Sequence, residues 1–487
     1  MSIQPSPAYP PTSRPPSRIG PMLSTQQVQM TKAITDSYAV ILLVVYAIGA
    51  YLGLTVSSGE QPIIPSYLTA VSSLIMIAAN ISLLTRGLLI RFVELVAFLI
   101  VMYIINSNIN GWVSAKGFTG SILLVYSFVF CFPVYLLSRR MRLQSFRLAL
   151  LIVWWLIFLA AALDAAGVLR GASDAFRNAV YPVRNLYIAD DRDIALYGAY
   201  RPRAFASEPS LVGIWSTVVI VAWYATYRVR TISVHTGIVL AALAAMLFLE
   251  RSPTILYGVL VVGGCQILNR ARTVQAWVKY RSRRIIMAVM MLVLSMVVVV
   301  VGLATPAYGP TAFLHEGSAF DRLFAPPLIT FRVLGASPAF GIGVATQERL
   351  ADETIPVLLS TRNDATEVIG NAARITTFVA NSFFLHWIYM GLLGGVVALW
   401  IYARFLRTLG VMDIAAVAGM TIPMWNTIGG CVTVQCWAMV FIFAAARLQY
   451  ERQLGDDRLA PAMSGGVPSR QSAPTIHNRF RLFRQRL

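Results

Sequence analysis

The sequence predicts an all-α polytopic membrane protein with about twelve transmembrane helices (range 11–13), and three observations carry that expectation. Of 487 residues, 57% are hydrophobic and only 13% charged, against roughly 45–50% and 25% in soluble domains. The apolar residues fall in runs of about 16 to 23, the length that crosses a bilayer core. The formal charge of +19 gathers in short loops between those runs and in two tails, as cytoplasmic loops of membrane proteins do. The first observation argues against a soluble enzyme. The third, with the lack of any nucleic-acid module, argues against a nucleic-acid partner.

Residues 1–37 are rich in Pro and Ser and read as a disordered cytoplasmic tail without a cleaved signal peptide. Apolar spans follow near 38–57, 65–84, 92–106, 118–137, 146–163, 210–227, 232–249, 253–268, 285–304, 382–403, 411–425 and 429–446. Pro423 and the pair Gly429-Gly430 mark a turn between the last two, which are short enough to form a re-entrant pair. Residues 447–487 form a second basic cytoplasmic tail, so 38–446 is the transmembrane domain.

Placing the N-terminus in the cytoplasm puts 27 Lys and Arg inside and 13 outside, with 6 acidic residues inside and 15 outside. Arg139-Arg140-Met141-Arg142 and Arg281-Ser282-Arg283-Arg284 then fall on the inside, as the positive-inside rule asks. Both termini are expected in the cytoplasm. Segments 164–207 and 305–380 become two long external loops, and loops of that length usually carry function.

Cys131, Cys265, Cys431 and Cys436 all lie in or beside apolar runs and read as small packing residues. Four histidines are too few for a His-rich metal site. P-loop, HExxH and nucleophile-elbow patterns are missing. No metal, nucleotide or other cofactor is expected.

The external arginines are the chemically suggestive residues. A guanidinium fork matches two phosphate oxygens. Arg203 and Glu208 stand just before the span at 210–227, and Gly213 follows Arg203 after nine residues. Arg332 and Gly343 repeat the pattern with ten residues between them. Arg251 lies in a near-loopless turn, Leu249-Glu250-Arg251-Ser252-Pro253, where a charge at membrane depth is costly and often functional. As an interfacial residue, Arg203 would serve as a membrane anchor or pair with Asp190, Asp191 or Asp193, and Glu250 offers Arg251 a simple structural partner.

Four segments together resemble the bacterial O-antigen polymerase and O-antigen ligase superfamily of membrane glycosyltransferases. They are Arg203 to Ser210 with its Glu-Pro-Ser, Glu250-Arg251-Ser252, Arg322 followed by Pro338, Gly341 and Gly343, and Asn381-Ser-Phe-Phe-Leu leading to Met390-Gly-Leu-Leu-Gly394. Ala380 stands where many members carry His before that Asn, and His386 lies five residues beyond Asn381. The resemblance implies polymerisation of undecaprenyl-pyrophosphate-linked oligosaccharide repeats into a surface or exported polysaccharide. The site would face the periplasm or exterior of the bacterial inner membrane. It implies Arg203, Arg251, Arg322 and Arg332 as pyrophosphate ligands and Glu208 or His386 as general base. The partners would be a lipid-linked donor and acceptor, membrane lipids, and a chain-length regulator and flippase of the same pathway. The ligase branch, moving glycan to lipid A core or protein, and a lipid-linked oligosaccharide flippase are the alternatives.

Overall fold

Long apolar runs leave the backbone one economical way to bond its own N–H and C=O groups, and the chain takes it. The computed structural model describes residues 25–58, 61–109, 115–181, 193–194, 198, 200–227, 229, 232–271, 325–361, 379, 381–426 and 430–463. Their helices are α1 (Thr25–Leu52), α2 (Tyr67–Ala79), α3 (Arg86–Ile109), α4 (Ala115–Cys131), α5 (Pro133–Ser138), α6 (Leu143–Ala165), α7 (Arg170–Val180) and α8 (Pro209–Ala225). Then come α9 (Val234–Glu250), α10 (Leu256–Ala271), α11 (Ala325–Ala336), α12 (Gln347–Thr361), α13 (Ser382–Leu409), α14 (Ile414–Trp425) and α15 (Val434–Met463). A short antiparallel hairpin, β1 (Val56–Ser58) with β2 (Gln61–Ile64), joins α1 to α2 and is a small departure from an all-helical chain.

Helices occupy every predicted span that falls on described residues; the span at 285–304, most of 305–380 and most of both tails lie outside them. Among the described residues, four stretches are long and apolar enough to cross a membrane: α3, α4 with α5, α6 and α13. The remaining apolar helices are shorter. The 12 residues of α14 reach only about 18 Å at ~1.5 Å per residue, short of the ~30 Å hydrocarbon core.

Every residue of α8 is buried, and so is the run Cys436–Ala446 of α15, so these two helices form the centre. On the outer helix α3, Leu89, Ile90, Val93, Ile100, Val101 and Ile104 are exposed. So large an apolar surface suits hydrocarbon rather than water.

The two segments expected as loops are partly helical. Segment 164–207 contains α7, and 305–380 contains α11 and α12. Gly341 and Gly343 of the second segment are buried rather than part of a surface loop. α13 is broken at Gly391, whose φ of 66° and ψ of −172° are not helical. In an unbroken helix Leu392 and Leu393 would donate to Ile388 and Tyr389. Here their N–H groups donate to the carbonyls of Pro338 and Ala339 at 2.8 and 3.0 Å. The carbonyls of Ile388 and Tyr389 accept instead from Ile342 and Gly343, each at 3.0 Å. Residues 338–343 are thus spliced into the hydrogen-bond ladder of α13. A Cβ on Gly341 would collide with the Ile388 carbonyl, and one on Gly391 with the backbone of Ala339 and Gly341.

Gly391→Ala and Gly341→Ala each force a side chain into a left-handed position and a backbone clash. Each is expected to destabilise the protein by about 2–4 kcal/mol, read as a lower thermal transition of the purified protein. Gly335→Ala, with open space around it, should leave the transition in place. Equal stability of all three variants would contradict the splice.

Candidate functional site

The arginines of segment 164–207 are organised by two carboxylates. Asp164 ends α6, and its Oδ2 accepts the backbone N–H of Arg203 at 2.6 Å and of Ala204 at 2.8 Å. Ala204 and Phe205 are both left-handed, with φ of 43° and 68°, a conformation that costs about 1–3 kcal/mol per residue. Their surroundings hold it. Tyr51 donates its hydroxyl to Ala204 O at 2.7 Å, Tyr181 to Phe205 O at 3.1 Å, and Ser173 Oγ accepts the Phe205 N–H at 3.0 Å.

Helix α7 supplies the remaining support. Its Ser173, Phe176 and Arg177 recur at helical spacing and turn toward the 203–207 segment. Phe176 meets the Phe205 ring edge-on with centroids 5.6 Å apart. The buried Arg177 donates through Nε to Ala206 O at 2.8 Å and through Nη2 to Ser207 O at 3.0 Å. Asp174 Oδ1 lies 2.9 Å from both Arg177 Nη1 and Arg203 Nη1, so one carboxylate bridges two buried guanidiniums. Burial, and then the charge of Arg203, lower the pKa of Arg177, and Asp174 opposes both.

Arg201 points the other way and donates through Nε to the backbone carbonyl of Glu250 at 3.0 Å, with Asp193 Oδ1 3.9 Å from its Nη1. Glu250, the last residue of α9, is 0% exposed and neither carboxyl oxygen has a hydrogen-bond partner. An unbonded buried carboxylate is expensive, and a nearby guanidinium reduces that cost. Arg251 follows as a left-handed cap with φ 50°. It is exposed, and its guanidinium stands next to Gly198. Arg170 lies over the Tyr200 ring, 3.8 Å from its centroid.

An open cleft is lined by Asp164, Arg170, Tyr200, Arg201, Pro202 and Arg203. Arg203 is paired there with Asp174, Arg201 bonds the Glu250 carbonyl with Asp193 3.9 Å away, and Asp164 Oδ2 is engaged by backbone N–H groups. The cleft thus gathers three arginines held by fixed partners, and a guanidinium fork is the group that matches a pair of phosphate oxygens.

Of the residues singled out from sequence, Arg203 lines this cleft, and Arg251 stands beside Gly198, close in sequence to Tyr200 and Arg201. Glu208 is partly exposed and opens α8 as its N-cap residue, one position after the carbonyl that Arg177 holds. Arg332 is on α11, half exposed, and paired with Glu353 of α12 at 2.9 Å. His386 is buried in α13 with Nε2 3.1 Å from Gly395 O across the break. Asn381 caps α13, its Oδ1 accepting the Phe384 N–H at 3.3 Å, while its Nδ2 donates to Asn426 O at 3.0 Å. Arg322, Asp190 and Asp191 lie outside the described residues.

Sequence reasoning missed Arg170, Arg177, Arg201, Asp164 and Asp174. The signal available was the helical pattern of Ser173, Asp174, Phe176 and Arg177 inside a segment read as loop. No protein-family model, no curated protein and no solved structure matches the chain.

Asp164→Ala removes the acceptor of two backbone N–H groups and leaves the turn at 203–207 held from one side only. Amide exchange at Arg203 and Ala204 should quicken by about ten- to a hundredfold, one to two factors of ~1.4 kcal/mol. Unchanged exchange would show that Asp164 does not set this turn.

Proposed function

We propose that the chain is a metal-independent membrane glycosyltransferase that polymerises undecaprenyl-pyrophosphate-linked oligosaccharide repeats at the outer face of the bacterial inner membrane. The arginine cleft is the observation that carries this reading. It sits where α6 ends, α8 begins and α9 ends, so a lipid lying along the apolar helices would bring its headgroup to the guanidiniums. In this reading the chain crosses the membrane about twelve times, both tails are cytoplasmic, and the cleft faces outward.

The reaction needs no redox partner. An acceptor hydroxyl attacks the anomeric carbon of the donor glycan and forms the new glycosidic bond. The bond from that carbon to the pyrophosphate oxygen breaks, and undecaprenyl pyrophosphate leaves with the electron pair. Arg170, Arg201 and Arg203 stabilise the charge gathering on the leaving group, with Arg251 beside them and Arg322 as a further ligand. The hydroxyl proton goes to a base. Glu208 suits that role better than His386, because it is partly exposed at the start of α8 while His386 is enclosed and engaged by Gly395. Arg332, half exposed and paired with Glu353, is a peripheral contributor. The partners are a lipid-linked donor and acceptor, membrane lipids, and a flippase and chain-length regulator of the same pathway.

A transporter is the second reading, because α13 is a broken helix and transporters bind cargo at such breaks. The Ile388 and Tyr389 carbonyls and the Leu392 and Leu393 amides, however, are taken up by 338–343. They are not left over to coordinate an ion. The ligase branch would use the same cleft with a different acceptor.

Purified full-length protein given only lipid-linked repeat units, without metal or nucleotide, is expected to build a ladder of longer glycans. Arg201→Lys, Arg203→Lys and Arg251→Lys keep the charge but lose the fork, and each should cut elongation by about tenfold or more. Normal ladders from all three variants would remove the arginines from the reaction, and no ladder from folded wild type would remove the polymerase reading.

Orientation has its own test. Reporter fusions after Arg177 and after Arg349 are expected to read as external, and a cytoplasmic reading at either position would contradict the proposed topology.

A further inference from the structure

A second cleft differs in kind from the arginine cleft. An open cleft lies where α3 ends and α4 begins, bordered by Tyr103, Asn106, Ser107, Ser121, Gly343 and Thr346 and by the apolar Met102, Ile342 and Val344. No charged side chain lines it. Its wall is fixed by the splice into α13. Asn106 Nδ2 donates to Met102 O at 3.0 Å and to Phe340 O at 3.4 Å, which ties α3 to the inserted segment. Gly343 and Ala345 are left-handed, with φ of 95° and 55°, and Ala345 lies so close to Gly120 of α4 that a Cβ there would collide with it.

The hydroxyls of this cleft share one arrangement. Ser107 donates to Tyr103 O at 2.8 Å, Ser121 to Gly117 O at 3.0 Å, and Thr346 to Gly343 O at 2.8 Å. With each proton spent on the backbone, the oxygens present lone pairs, and so they act as acceptors. Beside them are the Asn106 amide and the ring of Tyr103. A phosphate would meet lone pairs and no cation here, whereas a sugar ring would bring hydroxyl donors to the oxygens and C–H faces to Met102, Ile342 and Val344. A ligand dense in neutral hydroxyl donors suits the wall.

We propose that this cleft is a saccharide subsite, accepting neutral sugar hydroxyls of a lipid-linked glycan whose pyrophosphate is held elsewhere by the arginine cleft. The proposal rests on the reading of the chain as an enzyme of lipid-linked glycans, and it assigns sugar recognition to α3, α4 and residues 343–346.

Native mass spectrometry of the full-length protein in nanodiscs tests it with two probes. One is undecaprenyl pyrophosphate; the other is the lipid-linked saccharide fraction extracted from cells that make this protein. Ser121→Trp fills the cleft, and Ser107→Ala with Ser121→Ala keeps its shape while removing two acceptors. Binding of the sugar-bearing lipids should fall by about tenfold in the first variant and about fivefold in the second. Binding of undecaprenyl pyrophosphate should stay within about twofold in both. The subsite is overturned if both variants hold the sugar-bearing lipids as wild type does. It is also overturned if Ser121→Trp loses both probes while the alanine variant loses neither. Arg201→Ala with Arg203→Ala reports on the other cleft. If that variant binds both probes normally, the pyrophosphate reading fails while the sugar preference is still read from the serine variants. A wild type that binds neither probe overturns both.

Discussion

The exchange of backbone hydrogen bonds at Gly391 is the constraint on which the upper part of the bundle depends. A helix inside hydrocarbon cannot leave N–H or C=O groups unbonded, because no water is there to take them. At the break in α13, residues 338–343 take up the carbonyls of Ile388 and Tyr389 and the amides of Leu392, Leu393 and Gly394. The inserted segment is then fixed to within a hydrogen bond of α13, and through Asn106 it is fixed to α3 as well. Three glycines make the approach feasible: Gly341 and Gly391 where two backbones touch, and Gly120 where α4 meets Ala345. α11, which leads into this segment, packs on α13, and α12 packs on α11.

The arginine turn follows the same logic with charges in place of peptide groups. Left-handed backbone at Ala204 and Phe205 persists because Asp164, Tyr51, Tyr181, Ser173 and Arg177 each take one or two of its polar groups. Asp174 allows Arg177 and Arg203 to lie side by side while buried. Arg177 therefore works as scaffold, whereas Arg170, Arg201 and Arg203 line the cleft. At the opposite end of the bundle Arg447 is wholly buried with Asp413 Oδ2 3.5 Å from its Nη2, and Asn269 Oδ1 accepts from its Nη1 at 3.2 Å. That pair closes the junction of α10, α14 and α15.

Hydropathy made the helices legible, because a bilayer-length apolar run leaves little choice of backbone. It did not reveal α7, whose hydrophobic residues are few and whose packing face is made by Ser173, Phe176 and Arg177. Pro338, Gly341 and Gly343 read as a loop motif. Their partner is the backbone of a helix some fifty residues later in sequence, and no local pattern announces such a pairing. Arg203 and Arg251 were legible as unusual charges at span ends, yet Arg201, two residues from Arg203 and bonded to the Glu250 carbonyl, was passed over. His386 read as a candidate base because of its position near Asn381. Only the three-dimensional arrangement shows its ring enclosed and bonded to Gly395. Arg332 matched Arg203 in spacing to a glycine, but its guanidinium is paired to Glu353 on a different pair of helices.

The central claim is that one end of this helical bundle holds a lipid pyrophosphate in a cleft of fixed guanidiniums. Electron cryo-microscopy of the full-length protein in nanodiscs containing undecaprenyl pyrophosphate measures this directly. The account predicts density for two linked phosphates within hydrogen-bond reach of Arg170, Arg201 and Arg203, with the 203–207 turn unchanged. Phosphate density at another part of the bundle, with the arginine cleft empty, would contradict it.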